Sequence, residues 1–171
     1  MPKIAELLLA ELEREATGTR RALERVPEGR NDWKPHEKSM ELGYLAGLVA
    51  TMLSWTAAIV TQEELDLASP GEFGTGAFST NRELLEAFDK AVAQAREALA
   101  SADDDYLTGT TWRLLVQGNV VMETPRYVAI RDSVLNHLAH HRGQLTVYLR
   151  LNDKPVPSLY GPTADEAGFQ G

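Results

Sequence analysis

The sequence contains no cysteine in its 171 residues. Disulfide bonds, a thiolate nucleophile and cysteine-based zinc or iron–sulfur sites are therefore excluded. Any bound metal ion must be held by histidine, aspartate, glutamate or water. The absence of cysteine does not indicate a cellular compartment.

Positive charge is also scarce. The 17 lysines and arginines are outnumbered by 25 aspartates and glutamates, which gives a formal net charge of −8. A chain with this charge repels polyphosphate, and it has no stripe of basic residues interleaved with aromatic residues. We therefore expect no nucleic-acid partner.

The first segment lacks the long apolar run of a signal peptide or a membrane span. It opens with Met1-Pro2-Lys3 and continues through Glu6, Glu11, Glu13 and Glu15. The sequence therefore predicts a cytoplasmic protein without a membrane partner.

Apolar residues at helical spacing are abundant. With 43% hydrophobic and 25% charged residues, the composition is typical of a globular protein, and we interpret residues 1–171 as one domain. Apolar residues that recur every three to four positions predict four amphipathic helices. The first predicted helix covers Ile4–Val26, and the second runs from Met40 to an end between Glu63 and Leu67. The third runs from Thr80 to Leu99, and the fourth from Thr124-Pro125 to Leu151.

Turn-forming and capping residues separate these helices. Ser39 is predicted to cap the second helix, and Thr80 with Glu83 has the pattern of a capping box. Glycine and proline mark the connecting segments. These segments are a loop at Glu28–Lys38 anchored by Trp33, a loop at Ala68–Ser79, and a tail at Val156–Gly171.

A different pattern precedes the last helix. Thr111–Val116 and Val120–Met122 are rich in threonine and valine and flank a Gln117-Gly118-Asn119 turn, so they predict two short strands. Four apolar helical stripes are best buried against one another. The predicted fold is therefore an all-α four-helix bundle with a short β-hairpin before the last long helix.

Three of the four histidines, His137, His140 and His141, lie within five residues. His137 and His141 are four residues apart, so on a helix their rings lie one above the other, and two imidazoles at this spacing can bind one transition metal ion. The pair shares its face with apolar positions such as Val134, which predicts that it points into the bundle. His140 lies to one side, and His36 is interpreted as a loop residue.

Several interpretations of this cluster are open. The two rings are either metal ligands or buried histidines in ordinary hydrogen bonds. A third ligand would come from another helix, where Glu11 and Glu15 are candidates, although such carboxylates are more often solvated. Gln144 is a candidate for orienting the ring of His141 or a metal-bound water, and equally for satisfying a backbone group. Arg142 is interpreted as a surface or interface ion-pair partner, with binding of an anionic substrate as the alternative.

Three segments resemble a known family. Asn136–Leu145 (NHLAHHRGQL), followed by Tyr148-Leu149-Arg150, resembles the last-helix signature of DinB/YfiT-like proteins. Pro155–Glu166 (PVPSLYGPTADE) resembles the segment that follows this signature, and Leu42–Trp55 resembles the second-helix motif. The chain is therefore similar to the DinB-like four-helix bundles.

The resemblance implies a commonly homodimeric, stress-associated bacterial family with one divalent metal, zinc or nickel, bound by three histidines. Two of these correspond to His137 and His141. The third, on the second helix, corresponds to Leu48, whose side chain cannot bind a metal. The implied metal site is therefore incomplete.

The resemblance also implies a function class, because relatives include thiol-dependent transferases and isomerases whose metal activates the sulfur of a low-molecular-weight thiol cofactor. The implied function is that of a metal-dependent thiol S-transferase or hydrolase. The alternative is a non-catalytic, metal-free bundle that binds a small molecule or a partner protein. Whether the chain is an enzyme is left open by the sequence. It also identifies no substrate, since it contains no nucleophile elbow, phosphate-binding loop or dinucleotide fingerprint.

Overall fold

The structure, a computed structural model, describes residues 3–68 and 77–166. In these residues the fold is mostly helical with one small three-stranded sheet. The elements in chain order are α1 (Ile4–Leu23), α2 (Leu42–Thr51), a 3-10 turn (Met52–Ser54), α3 (Trp55–Thr61), β1 (Glu64–Asp66), α4 (Asn81–Ser101), α5 (Asp104–Gly109), β2 (Thr111–Val116), β3 (Asn119–Pro125), α6 (Arg126–Ala129), a π-helix (Ile130–Asn136) and α7 (His137–Leu151).

The helices α1, α2, α4 and α7 pack around one apolar core. Each contributes a buried stripe at helical spacing, which is the inward face that the apolar pattern predicts. The predicted helical class is therefore confirmed. The sheet and the short extra helices make the fold more complex than four helices and a hairpin.

The start of α4 agrees with the sequence. Thr80 Oγ1 accepts a hydrogen bond from the backbone amide of Glu83 at 3.2 Å, and Glu83 Oε2 accepts one from the amide of Thr80 at 3.3 Å. This is the predicted capping box. Of the predicted loop Ala68–Ser79, residues 69–76 lie outside the described residues.

The second predicted helix differs from the observed one. Glu41, not Ser39, is the N-cap of α2. The helical stretch is interrupted by the 3-10 turn and ends at Thr61, so the predicted extension to between Glu63 and Leu67 is wrong. Residues Glu64–Asp66 instead form β1, which pairs in parallel with β2.

Two side chains explain why the helix stops there. Arg126 is fully buried, and its Nη1 donates to the carbonyl oxygens of Ile59 and Gln62, which terminates α3. Asp66 accepts hydrogen bonds from the amides of Gln117 and Gly118 at 3.0 and 2.7 Å, which ties β1 to the hairpin turn. Tertiary contacts thus override the local helical pattern.

One stretch of the described residues, Leu42–Thr61, is long and apolar enough to cross a membrane by length and composition, with a mean hydropathy of 1.6. However, 67% of its apolar window is buried inside the protein. A helix in the core of a fold gives the same pattern, and this stretch occupies that position here.

The predicted hairpin is confirmed. β2 and β3 pair antiparallel, with a bulge between Leu114 and Leu115. Gln117 and Gly118 form the turn with φ values of 52° and 76°, the left-handed conformation that two-residue hairpin turns require. β3 is longer than the predicted strand Val120–Met122.

The last predicted helix ends at Leu151 as expected, but its interior is irregular. Pro125 is its N-cap, and the helix then passes from α6 through seven residues of π-helix before α7 begins at His137. The first candidate metal ligand therefore lies directly after the π-helical segment.

The tail folds back onto α1 through Glu166. This carboxylate forms ion pairs with Arg25 and Arg21 and accepts a hydrogen bond from the amide of Ser158 at 2.8 Å. The bond to Arg25 and the Ser158 amide lower the pKa of Glu166 to about 2. The predicted tail beyond Glu166 lies outside the described residues.

We expect Glu166→Gln to loosen this contact in a pH-dependent way. A carboxyl group whose pKa is lowered by folding stabilises the protein fully above its ordinary pKa of 4.5, and this contribution is lost as the pH falls toward about 2. The variant should therefore show a lower melting temperature and faster exchange of the Ser158 amide at pH 7. The difference from the wild type should shrink below pH 4.5. A difference independent of pH would contradict the ion-pair explanation.

Candidate functional site

The candidate site lies at the beginning of α7. His137 is half-buried and His141 is 8% exposed. Their Nε2 atoms are 2.8 Å apart, and the ring centroids are separated by 4.5 Å. The structure therefore brings together the two histidines that the sequence spacing predicts as a pair.

The ring of His141 is held by an acceptor on its outer side. His141 Nδ1 lies 2.7 Å from Gln144 Oε1, so its N–H donates to the amide oxygen. On the inner side, the two Nε2 atoms face each other at hydrogen-bond distance, and which of them donates depends on the tautomers of the two rings.

Burial lowers the pKa of both histidines below the ordinary value of 6.5. At neutral pH the rings are therefore unprotonated, which is the form that binds metal ions. An imidazole that donates its other N–H to an oxygen, as His141 does to Gln144, has the outer hydrogen bond typical of metal ligands.

The residue that the family resemblance aligns with the third metal ligand is apolar. Leu48 is half-buried on α2, which packs against α7. Within residues 3–68 and 77–166, no group of three or more histidine, aspartate or glutamate side chains is placed so that it could hold a metal ion. The side chains therefore fit a metal bound by two imidazoles but not by three protein ligands.

The two carboxylates considered as a third ligand are engaged elsewhere. Glu11 forms an ion pair with Arg131. Glu15 is 6% exposed, so the expectation of a solvated carboxylate is wrong, and its Oε2 lies 2.7 Å from Arg142 Nη2. The structure brings neither carboxylate into a group with the histidines.

Arg142 is an internal residue, not a surface one. It is 1% exposed and contacts α1, where its Nη1 donates to Thr19 Oγ1 at 2.9 Å and to the carbonyl of Glu15 at 3.1 Å. Its guanidinium also lies over the ring of Tyr160 at 5.1 Å. The predicted ion pair exists, but its position is corrected. It joins α1, α7 and the tail, and the buried Glu15 carboxylate compensates the buried cation.

The other histidines agree with their predicted positions. His140 is exposed, and its ring centroid lies 4.9 Å from that of His141. His36 is exposed in the first loop, where its Nδ1 accepts a hydrogen bond from the amide of Lys38. The same loop is anchored as predicted, by an edge-to-face contact of Trp33 with Tyr148 at 5.4 Å.

Sequence reasoning missed the π-helix that directly precedes His137. The regular apolar spacing through the last helix predicts an uninterrupted α-helix. Gln144 was considered because a residue one turn from a histidine can reach its ring. Of its three alternatives, the structure shows the contact with His141.

Comparison with other proteins identifies the family. The family model described as "DinB family" matches residues 1–168. A DinB-like protein from Bacillus cereus is 20% identical, with a TM-score of 0.67 over 90% of this chain and 95% of that one. A DinB-like protein from Bacillus subtilis is 17% identical, with a TM-score of 0.66 over 90% and 97%. No curated protein matches the sequence. The chain belongs to the DinB family.

Proposed function

We propose that this protein is a metal-dependent enzyme of the DinB family with a two-histidine metal centre. In this centre His137 and His141 hold one divalent transition metal ion, zinc or nickel. The observation that carries the proposal is the approach of the two Nε2 atoms to 2.8 Å, with the outer nitrogen of His141 held by Gln144. Imidazole nitrogen is a preferred ligand of both metals.

Two reaction classes are proposed. In the first, a low-molecular-weight thiol is transferred through its sulfur to an electrophilic substrate, and in the second a substrate is hydrolysed. A bound divalent ion lowers the pKa of a thiol or water ligand and so supplies a nucleophile at neutral pH. With Leu48 in place of a third imidazole, more coordination positions are left to exogenous ligands than in a three-histidine site.

A second candidate function is supported by the same leucine. Replacing a buried imidazole by leucine removes a polar group and fills space, which stabilises a metal-free protein. In this candidate the protein is a non-catalytic module that binds a small molecule or a partner protein. It predicts that neither a chelator nor added zinc changes the melting temperature.

The remaining expectations belong to the same proposal. We propose that α1, the α2–α3 stretch, α4 and the α6–α7 stretch form the four-helix bundle of the family resemblance, and that the protein is a cytoplasmic homodimer. Sedimentation at micromolar concentration tests the dimer, because a clean monomer would contradict it.

Nucleic acid and membranes are not among the proposed partners, since the net charge of −8 disfavours both polyphosphate and anionic lipid.

The deciding measurement is metal content. The protein, purified without a histidine tag, is equilibrated with zinc or nickel, dialysed and analysed by elemental mass spectrometry. We expect about one ion per chain, lost in the His137→Ala, His141→Ala double variant because both ligands are gone. His140→Ala is the matched control, since it removes an exposed imidazole of the same cluster, and should retain the ion. Metal retained by the double variant, or absent from the wild type, would contradict the proposal.

A further inference from the structure

A cavity of about 380 Å³ lies between the first turns of α1 and the start of the last long helix. Its lining side chains come from α1, α5, α6 and the π-helix. Among the described residues, no histidine lines it, so the proposed metal centre does not include it. Cavities of this size are typical of small-molecule sites. The contacts around the cavity indicate which kind of molecule fits it.

The walls of the cavity are joined at both of its ends. Near the beginning of α1, the carboxylate of Asp104 accepts hydrogen bonds from the amides of Ile4 and Ala5 at 2.9 and 3.1 Å, which ties α5 to α1. Further along α1, Glu11 forms an ion pair with Arg131 in the π-helix. The walls therefore hold their positions without a ligand, and binding costs little ordering entropy.

Much of the lining is apolar and reaches the solvent. Leu7 is 56% exposed and Tyr127 is 38% exposed, and both side chains line the cavity. The buried Leu8 and the half-buried Ile4 line it as well. A ligand that covers the exposed leucine and the tyrosine ring removes apolar surface from water, which favours binding. The ligand therefore needs an apolar part.

The charged side chains of the cavity form a neutral pair. Arg131 Nη1 donates to Glu11 Oε2, and both side chains are only partly exposed. A guanidinium has several N–H donors and a carboxylate several lone pairs, so the pair retains donors and acceptors for a ligand. A charged ligand would meet a like charge in this pair. A neutral amide avoids this cost, because its carbonyl oxygen accepts and its N–H donates.

We propose that this cavity binds a small neutral amide with an apolar tail. The amide oxygen accepts from Arg131, the amide N–H donates to Glu11, and the tail lies against Leu7 and Tyr127. The π-helix that carries Arg131 supports the proposal, because such turns are rare and occur frequently at functional sites. The site goes beyond the proposed function, since it needs neither the histidine pair nor a metal ion.

The test uses three probes with one tail and different charges: hexanamide, hexanoate and hexylammonium. Each is titrated into the metal-free, 15N-labelled protein, and proton–nitrogen correlation spectra give the dissociation constant and the residues whose signals shift. We expect hexanamide to shift the amide signals around Leu7 and Tyr127. It should bind about 10-fold more tightly than either charged probe, because a charged probe leaves a buried charge or hydrogen-bonding group poorly paired.

Two variants and one control locate the site. Leu7→Ser removes an exposed wall of the cavity and should weaken hexanamide binding about 10-fold. Leu151→Ser is the matched control, because Leu151 is a 54% exposed leucine outside the cavity, and it should leave the affinity unchanged. Glu11→Gln leaves Arg131 without its anion, so it should shift the preference from hexanamide toward hexanoate. Circular dichroism checks that each variant folds.

The outcomes decide the proposal without reference to metal. Tighter binding of either charged probe to the wild type would overturn the assignment of a neutral ligand. Equal losses in Leu7→Ser and Leu151→Ser, or signals that shift over the whole surface, would show unspecific apolar binding and overturn the site. The absence of any shift with hexanamide would overturn it as well. Because the protein is metal-free in every titration, these results hold whether or not His137 and His141 bind an ion.

Discussion

Replacing Arg142 by methionine is expected to lower the free energy of unfolding by about 3–5 kcal/mol, the usual cost of breaking a buried ion pair. Arg142 is 1% exposed and Glu15 is 6% exposed, and Arg142 Nη2 lies 2.7 Å from Glu15 Oε2. The substitution preserves most of the side-chain volume but leaves the carboxylate buried without its cation. Urea denaturation followed by circular dichroism measures the change.

Two further variants isolate the cause. Arg150→Met removes an arginine from the same helix whose partner, Asp165, forms a half-exposed pair, so it should cost much less than Arg142→Met. The double variant Glu15→Met, Arg142→Met removes both charges and should recover much of the stability. If Arg142→Met cost no more than Arg150→Met, the buried pair would not hold α1 and α7 together as we describe.

The burial of this pair had a signal in the sequence. The apolar stripe of α1 runs through Leu8, Leu12 and Ala22, and the positions between them on the same face are Glu15 and Thr19. A carboxylate and a hydroxyl inside an apolar stripe indicate a buried polar partner on another element. That partner is Arg142, although the sequence does not specify which arginine of the chain fills the position.

The presence of a helix or strand was easier to predict from the sequence than the residues at which it begins and ends. The capping box at Thr80 and the turn at Gln117-Gly118 depend on local chemistry, and both were predicted correctly. The end of α3 depends on Arg126, which is more than sixty residues away in sequence, and it was predicted wrongly. Strand β1 and the π-helix likewise depend on long-range contacts that no local pattern reports.

The same distinction applies to the candidate site. The pairing of His137 with His141 follows from helical spacing, and the contact with Gln144 follows from the next turn. The π-helix that directly precedes His137 does not follow from the sequence, because it interrupts a regular apolar spacing. Leu48 enters the site only through the family resemblance, so a separate experiment is needed to test its position.

Leu48→His is expected to tighten zinc binding on the order of 100-fold. Four-ligand zinc sites in small folded domains have binding free energies of about 10–16 kcal/mol, which corresponds to roughly 3 kcal/mol for each ligand. Leu48 is half-buried on α2, which packs against α7, and the resemblance places it where a third imidazole is expected. Competition titration with a zinc chelator measures the dissociation constant of each variant.

The control for this prediction lies one turn earlier on the same helix. Tyr44→His introduces an imidazole at an exposed position that the resemblance does not align with a ligand, so it should leave the affinity for zinc unchanged. Adding His137→Ala to Leu48→His should abolish the gain, because the new imidazole then lacks one of its two partners. Equal affinities for Leu48→His and Tyr44→His would mean that residue 48 does not face the histidine pair, and the centre would then lack an identified third position. A gain confined to Leu48→His would show that one substitution separates this chain from a three-histidine metal site.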